Sequence, residues 1–249
     1  MKKLLYILVI FISALGIAQN NSIFEVGKEQ YKNGKFQEAI NSWIQILDND
    51  QESASLYFNI GNAHYKLNNI GPSVYYYEKA LQLDPNDSDI KTNLTFAENA
   101  RIDAIESLPK TVFKKWYQAV SGIFTFNGWA IATVVFVLLF VALFLIYYFS
   151  ISERKKRLLF VASLLSIVFL FISCVMAFKT FGDFKNNSPA IIFAETAEVK
   201  SEPNLGSDSA FTLHEGTKVQ IIAEETNWVR IELADGKDGW IPVGDLKKL

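Results

Sequence analysis

WAIATVVFVLLFVALFLIYYF, residues 129–149, and LLFVASLLSIVFLFISCVMAF, residues 158–178, decide how the rest of the chain is read. Each run is 21 residues long and carries no Asp, Glu, Lys or Arg. At about 1.5 Å of rise per residue, a helix of that length reaches roughly 30 Å, the thickness of a bilayer core. A buried helix of a soluble core has a similar composition, but two such runs side by side favour a transmembrane hairpin. Residues 150–157 join them and contain Arg154, Lys155, Lys156 and Arg157 in succession. Four consecutive cations beside a span read as a cytoplasmic loop, which puts the preceding and following segments together on the far side. Thr133, Ser163, Ser166 and Ser173 are too sparse and too neutral to mark an ion path through the spans.

The start of the chain gives the same topology. Met1-Lys2-Lys3, an apolar run from Leu4 to Ile17 and the small residues Gly16 and Ala18 have the form of a signal peptide over residues 1–18. An uncleaved anchor is the competing reading and would add a third span. Lys110, Lys114 and Lys115, on the outer side of the first span, run against the charge rule. They share residues 109–128 with Phe113, Trp116, Tyr117, Val120 and Phe124, a basic and aromatic mixture suited to an interfacial amphipathic helix. A partner-binding helix would need the same pattern.

Removing signal and hairpin leaves about 90 residues before the membrane approach and about 60 after it, each enough for a small domain. A net charge of −2 provides no basic face for nucleic acid. The one cysteine, Cys174, lies in the second apolar run and excludes an intrachain disulfide framework or a thiolate zinc site. His64 and His214 stand alone, and no nucleophile–base pair or Gly-rich phosphate loop is present. The expectation is a non-enzymatic protein without metal or cofactor.

Residues 19–108 repeat themselves. Phe24 and Phe58, Gly27 and Gly61, Tyr31 and Tyr65, and Leu47 and Leu81 are each 34 residues apart. Tyr57 to Lys66 reads as a first helix, and Val74, Tyr77, Ala80 and Leu81, closing on Asp84-Pro85-Asn86, as a second. Period and motif resemble the tetratricopeptide repeat (TPR), a helix–turn–helix unit that cannot bury its apolar face alone. Two repeats are expected, 20–53 and 54–87, with a capping helix over 88–106 that carries Ile90, Leu94, Ala97 and Ile102. That is fewer than the three repeats usually needed, so support from a neighbour is expected. Phe24, Lys28, Tyr31 and Lys32 recur as Phe58, Asn62, Tyr65 and Lys66 along one stripe, the candidate partner-binding concave face. The same stripe could instead consist of packed aromatics and solvated cations.

After a linker over 179–188, residues 189–249 change to period two: Val219 and Ile221, then Val229, Ile231 and Leu233, alternate with polar positions. Ala234-Asp235-Gly236-Lys237 is a hairpin turn leading into Gly239-Trp240-Ile241-Pro242. About five short strands make a small β-barrel. Val199 to Pro203, Leu213 to Val219, Trp228-Val229 and Gly236 to Ile241 resemble, in that order, the bacterial SH3-like domain. The resemblance implies binding to cell-wall peptide or protein segments. Trp228, Arg230 and Trp240 form either a recognition surface or a cover, with Trp240 over the barrel core and Trp228 over a neighbouring strand.

The fold class is therefore multidomain α plus β: helical repeats, a two-helix transmembrane hairpin and a small SH3-like barrel. That order of parts resembles the BatE-type membrane proteins of the Bacteroides aerotolerance (Bat) operon. The resemblance implies a bacterial inner-membrane scaffold with TPR and SH3-like domains in the periplasm and a part in oxidative stress tolerance. It also implies Bat proteins with von Willebrand factor A domains as partners, beside a MoxR-type ATPase. A peptidoglycan tether or envelope-stress sensor acting through the SH3-like domain is the alternative.

Overall fold

The computed structural model describes residues 22–249; the signal peptide expected over 1–18 lies outside them. The chain divides into two compact units, one running through Ser107 together with Ser188–Leu249 and the other spanning Leu108–Asn187.

In the first unit, residues 22–32 are helical (α1) and are followed by α2 (Phe36–Leu47), α3 (Ala54–Lys66), α4 (Ile70–Leu83) and α5 (Ser88–Asn99). The turns between paired helices sit at Gly34 and Asn68, 34 residues apart and both with left-handed backbone (φ 76° and 60°). Asn tolerates that region better than most side chains, which explains its place in the second repeat. The 34-residue spacing of Gly27 and Gly61 also has a packing cause. A Cβ on Gly27 would lie 2.3 Å from Trp43 Nε1, and one on Gly61 2.8 Å from the Tyr77 ring. Trp43 and Tyr77 are themselves 34 apart and fully buried, so each repeat packs one large ring against one bare backbone.

The capping helix is shorter than expected. The side chain of Asp87 caps its start by accepting from the Asp89 and Ile90 amides, but the helix ends at Asn99. Ile90, Leu94 and Ala97 are buried, whereas Ile102 is exposed and outside the helix. The chain leaves helical geometry there because Asp103 is drawn to the SH3-like part. Its carboxylate accepts from the His214 amide at 2.7 Å and from Thr217 Oγ1 at 2.6 Å, and lies 2.8 Å from His214 Nδ1. Burial pushes the Asp103 carboxyl up, but these hydrogen bonds outweigh it and hold the group below its ordinary value.

Seven strands, rather than about five, make the C-terminal part: β1 (Pro189–Ile192), β2 (Thr196–Lys200), β3 (Ser209–His214), β4 (Lys218–Glu225), β5 (Trp228–Glu232), β6 (Asp238–Pro242) and β7 (Leu246–Lys248). They form one antiparallel sheet in the order β3-β2-β6-β5-β4-β1-β7, with register shifts after Val199 and Ile221. Alternate residues, among them Val199, Val229, Ile231 and Ile241, converge on its core. The strands added to the expected set, β1 and β7, meet the repeats, together with the facing ends of β3 and β4.

That meeting completes the two-repeat stack. Ile191 of β1 is fully buried within the repeat core, and Phe193 and Leu249 pack against the same core. Asn69, at the N-cap of α4, makes no side-chain capping bond. Glu215 supplies one from the sheet, accepting the Gly71 amide at 3.1 Å, while Pro72 beside it has no N–H to satisfy. Lys218 pairs with Glu78 at 2.6 Å. Lys247 lies 4.7 Å from the Tyr75 ring centroid, 5.8 Å from that of Phe193 and 6.0 Å from that of Tyr76. Tyr76 in turn stacks on His64 at 5.5 Å.

The second unit contains α6 (Val112–Ser121), α7 (Phe126–Phe149) and α8 (Glu153–Asn186). Helices α7 and α8 are long and apolar enough to cross a membrane. The connection expected over 150–157 shrinks to Ser150–Ser152, and the linker expected over 179–188 is helical through Asn186, so α8 extends beyond its apolar run at both ends. Ser163, Ser166, Ser173 and Met176 are buried in this unit, and Thr133 Oγ1 bonds Ser173 Oγ at 3.0 Å. Small hydroxyl residues at a helix–helix contact let the two backbones approach closely. The Tyr117 hydroxyl of α6 donates to Asp183 and its ring lies 5.1 Å from Lys179 Nζ, while Phe113 and Trp116 are 86% and 73% exposed.

The pH dependence of the first unit is predicted by His64. Burial, then the Lys247 charge, lowers its pKa from 6.5 to about 4. Above pH 6.5 the imidazole is neutral in both states and the unit has its full stability. Between pH 6.5 and 4 the unfolded chain takes up a proton that the folded one refuses, so stability falls with pH by on the order of 2 kcal/mol. Urea unfolding of the detergent-solubilised chain, followed by tryptophan fluorescence, should show a falling midpoint over this window and a flatter profile in His64→Phe.

Candidate functional site

The face of the repeats that carries Tyr31 and Tyr65 holds a cavity of about 330 Å³, lined by Tyr31, Asn62, Tyr65, Lys66, Tyr77, Asn93 and Phe96. Helices α1 and α3 contribute the first four of these, α4 contributes Tyr77 and α5 the last two. Asn62 sits at the centre of a fixed network. Its Oδ1 accepts from the Tyr77 hydroxyl at 2.7 Å and from Asn93 Nδ2 at 2.8 Å. With both acceptor directions used, the amide offers its NH₂ to an incoming group. Burial pushes the Tyr31 and Tyr77 phenols up, so both remain neutral O–H groups. Lys66 at the rim is exposed and supplies the cation. Phe96, also exposed, adds an apolar wall. The arrangement suits an extended segment that presents carbonyl or carboxylate oxygens and an apolar side chain.

Of the eight residues of the expected stripe, Tyr31, Asn62, Tyr65 and Lys66 line this cavity. The other four do not. Phe24 and Phe58 pack against the repeat core, with ring centroids 6.4 Å from Trp43 and 5.9 Å from Tyr77. Lys28 pairs with Glu25 at 2.9 Å and lies over the Phe24 ring, and Lys32 is exposed away from the cavity. The physical reason is the spacing: the two aromatics four residues ahead of Lys28 and Asn62 are the ones that meet the buried ring of the second helix.

The structure adds Tyr77, Asn93 and Phe96. Tyr77 was legible only as a packing residue, because its hydroxyl direction depends on Asn62. Asn93 and Phe96 lie three apart on α5, off the line of its buried Ile90, Leu94 and Ala97. That polar and aromatic departure from the packed face was the available signal.

On the sheet, Trp228, Arg230 and Trp240 share one outward face. Arg230 is the cross-strand partner of Trp240, and Trp228 that of Pro242. The alternating Val229, Ile231 and Ile241 point into the core, so Trp240 does not cover it. Both tryptophans are half-buried, and the Arg230 guanidinium is held by Asp238 at 2.6 Å through Nε. His214 belongs to the Asp103 clasp. Among the described residues no group of His, Cys, Asp and Glu is arranged to hold a metal ion.

Residues 54–87 match the family described as tetratricopeptide repeat, residues 27–68 the one described as TPR repeat, and residues 195–247 the bacterial SH3 domain. No curated protein matches the chain. Among solved structures it is similar to an NlpC/P60 family protein from Bacillus cereus ATCC 10987, at 21% identity and a TM-score of 0.22. That likeness covers 28% of this chain and 23% of the other, so the chain spans less than a quarter of that protein. The β1 strand that enters the repeat core lies outside the residues matched to the SH3 family. The chain carries TPR repeats and a bacterial SH3 domain, both interaction modules, together with two helices of membrane-crossing length.

Proposed function

We propose that this protein is a non-enzymatic, membrane-anchored scaffold of an envelope complex that holds a segment of a partner protein in the Asn62 cavity. The observation that carries the reading is the orientation of the Asn62 amide, fixed by Tyr77 and Asn93 with its donors left for a ligand. Lys66 and Tyr65 add polar groups to a lining that also includes Phe96, a chemistry that fits a peptide better than a reacting substrate. The resemblance to the Bat system makes Bat proteins with von Willebrand factor A domains the first partners to test.

The bacterial SH3 match and the outward Trp228–Arg230–Trp240 face favour a second reading, attachment to peptidoglycan. Aromatic rings beside a fixed guanidinium suit sugar and peptide groups. Both readings place the folded domains in the periplasm. One feature of the fold supports a common side: the segments before and after the hairpin build a single compact unit, which an even number of crossings permits. The cations at 154–157 then orient the turn towards the cytoplasm.

Lys66→Glu should lower co-purification of Bat partners from solubilised membranes about tenfold, the worth of one charge-assisted contact. Lys32→Glu, the same change outside the cavity, should leave it intact; equal loss in both would overturn the site. Alkaline phosphatase fused after Leu249 should be active, and activity of a cytosolic reporter at that position instead would overturn the topology. The solubilised full-length chain should co-sediment with purified peptidoglycan if the second reading holds, and a Trp228→Ala/Trp240→Ala variant should then stay in the supernatant.

A further inference from the structure

The first turns of α8 present a shallow, open groove lined by Arg154, Arg157, Leu158, Val161, Ala162 and Leu165. These residues follow one another at helical spacing along a single face. Leu158, Val161 and Leu165 are 72%, 55% and 52% exposed, whereas the buried Ser163, Ser166 and Ser173 lie off this face. Two guanidinium groups therefore stand over one continuous apolar strip. From Arg157 to Leu165 the strip runs about 12 Å along the helix axis, enough to lie beside the upper part of an acyl chain.

The cations are available. Arg157 makes only a long pair with Glu153, at 3.9 Å with both side chains at least 85% exposed. Among the described residues Arg154, Lys155 and Lys156 make no ion pair. Within residues 150–157 one carboxylate faces four cations, an excess that a neutral lipid does not balance.

We propose that this groove seats an anionic phospholipid, with its phosphate held between Arg154 and Arg157 and an acyl chain along Leu158, Val161 and Leu165. Guanidinium groups bind phosphate through paired N–H donors, and at a bilayer surface their stems lie along apolar neighbours while the charge stays at headgroup level. Lys155 and Lys156 flank this line without lining the groove, and supply general attraction to an anionic surface. The site rests on the reading that α7 and α8 cross a membrane.

The test is native mass spectrometry of the full-length chain, extracted from membranes in detergent and titrated with dioleoyl phosphatidylglycerol or dioleoyl phosphatidylcholine. Recovery from the membrane fraction checks the crossing separately, so a membrane-extracted chain without lipid preference tells against the lipid site alone. The first phosphatidylglycerol adduct should be retained at about tenfold lower lipid concentration than phosphatidylcholine. Arg154→Gln/Arg157→Gln should abolish that difference, and Leu165→Trp, which fills the groove at constant charge, should reduce it. Lys155→Gln/Lys156→Gln should leave it, and millimolar inorganic phosphate should not displace the lipid. Equal retention of the two lipids, equal loss in the arginine and lysine pairs, or displacement by inorganic phosphate would each overturn the proposal.

Discussion

The first unit depends on a shortage: two helical repeats expose more apolar surface than they cover, and the sheet makes up the difference. Ile191 enters the repeat core as if it were part of another helix, and the Glu215 carboxylate caps α4 where Asn69 leaves the helix end open. An uncapped amide in a desolvated contact would cost about 1–3 kcal/mol. Asp103 closes the contact from the other direction, binding one backbone and two side-chain groups of the sheet. Repeat and sheet are thus one compact unit, although the two long apolar helices separate them in the chain.

This packing assigns different tasks to the faces of the molecule. The face of α4 with Gly71, Tyr75, Tyr76 and Glu78 is used by the sheet. The Asn62 cavity and the outward tryptophans of β5 and β6 are not. A partner held at either place would therefore meet a surface whose backbone is fixed on both sides. The Asn62 network is an example at the scale of one amide, since Tyr77, buried for packing, also determines which end of that amide faces outward.

The second unit obeys another rule. Its helices carry apolar side chains outward and hydroxyl groups inward, as the Thr133–Ser173 bond shows. Small residues at such a contact let two helix backbones approach closely, and the hydroxyl groups then pair across it. The apolar faces are then left to their surroundings, and at the start of α8 Arg154 and Arg157 add charge to such a face.

Much of this was legible in the sequence. The 34-residue period specified the repeats, because a bare Gly27 or Gly61 against Trp43 or Tyr77 leaves a mark that survives without coordinates. The charge-free runs at 129–149 and 158–178 specified the long helices, since length and composition suffice there. Alternation around Val229 and Ile231 specified the strands. The tertiary structure decided everything that depends on distant parts of the chain meeting. It shortened α5 because Asp103 is bound by residues more than a hundred positions away, and it added β1 and β7 because their pairing and the repeat core they cover are non-local. It separated Tyr31, Asn62, Tyr65 and Lys66, which line a cavity, from Phe24, Lys28, Lys32 and Phe58, which do not. Periodicity assigns a residue to a helix face, but only packing decides whether that face meets a ring, an ion pair or open space.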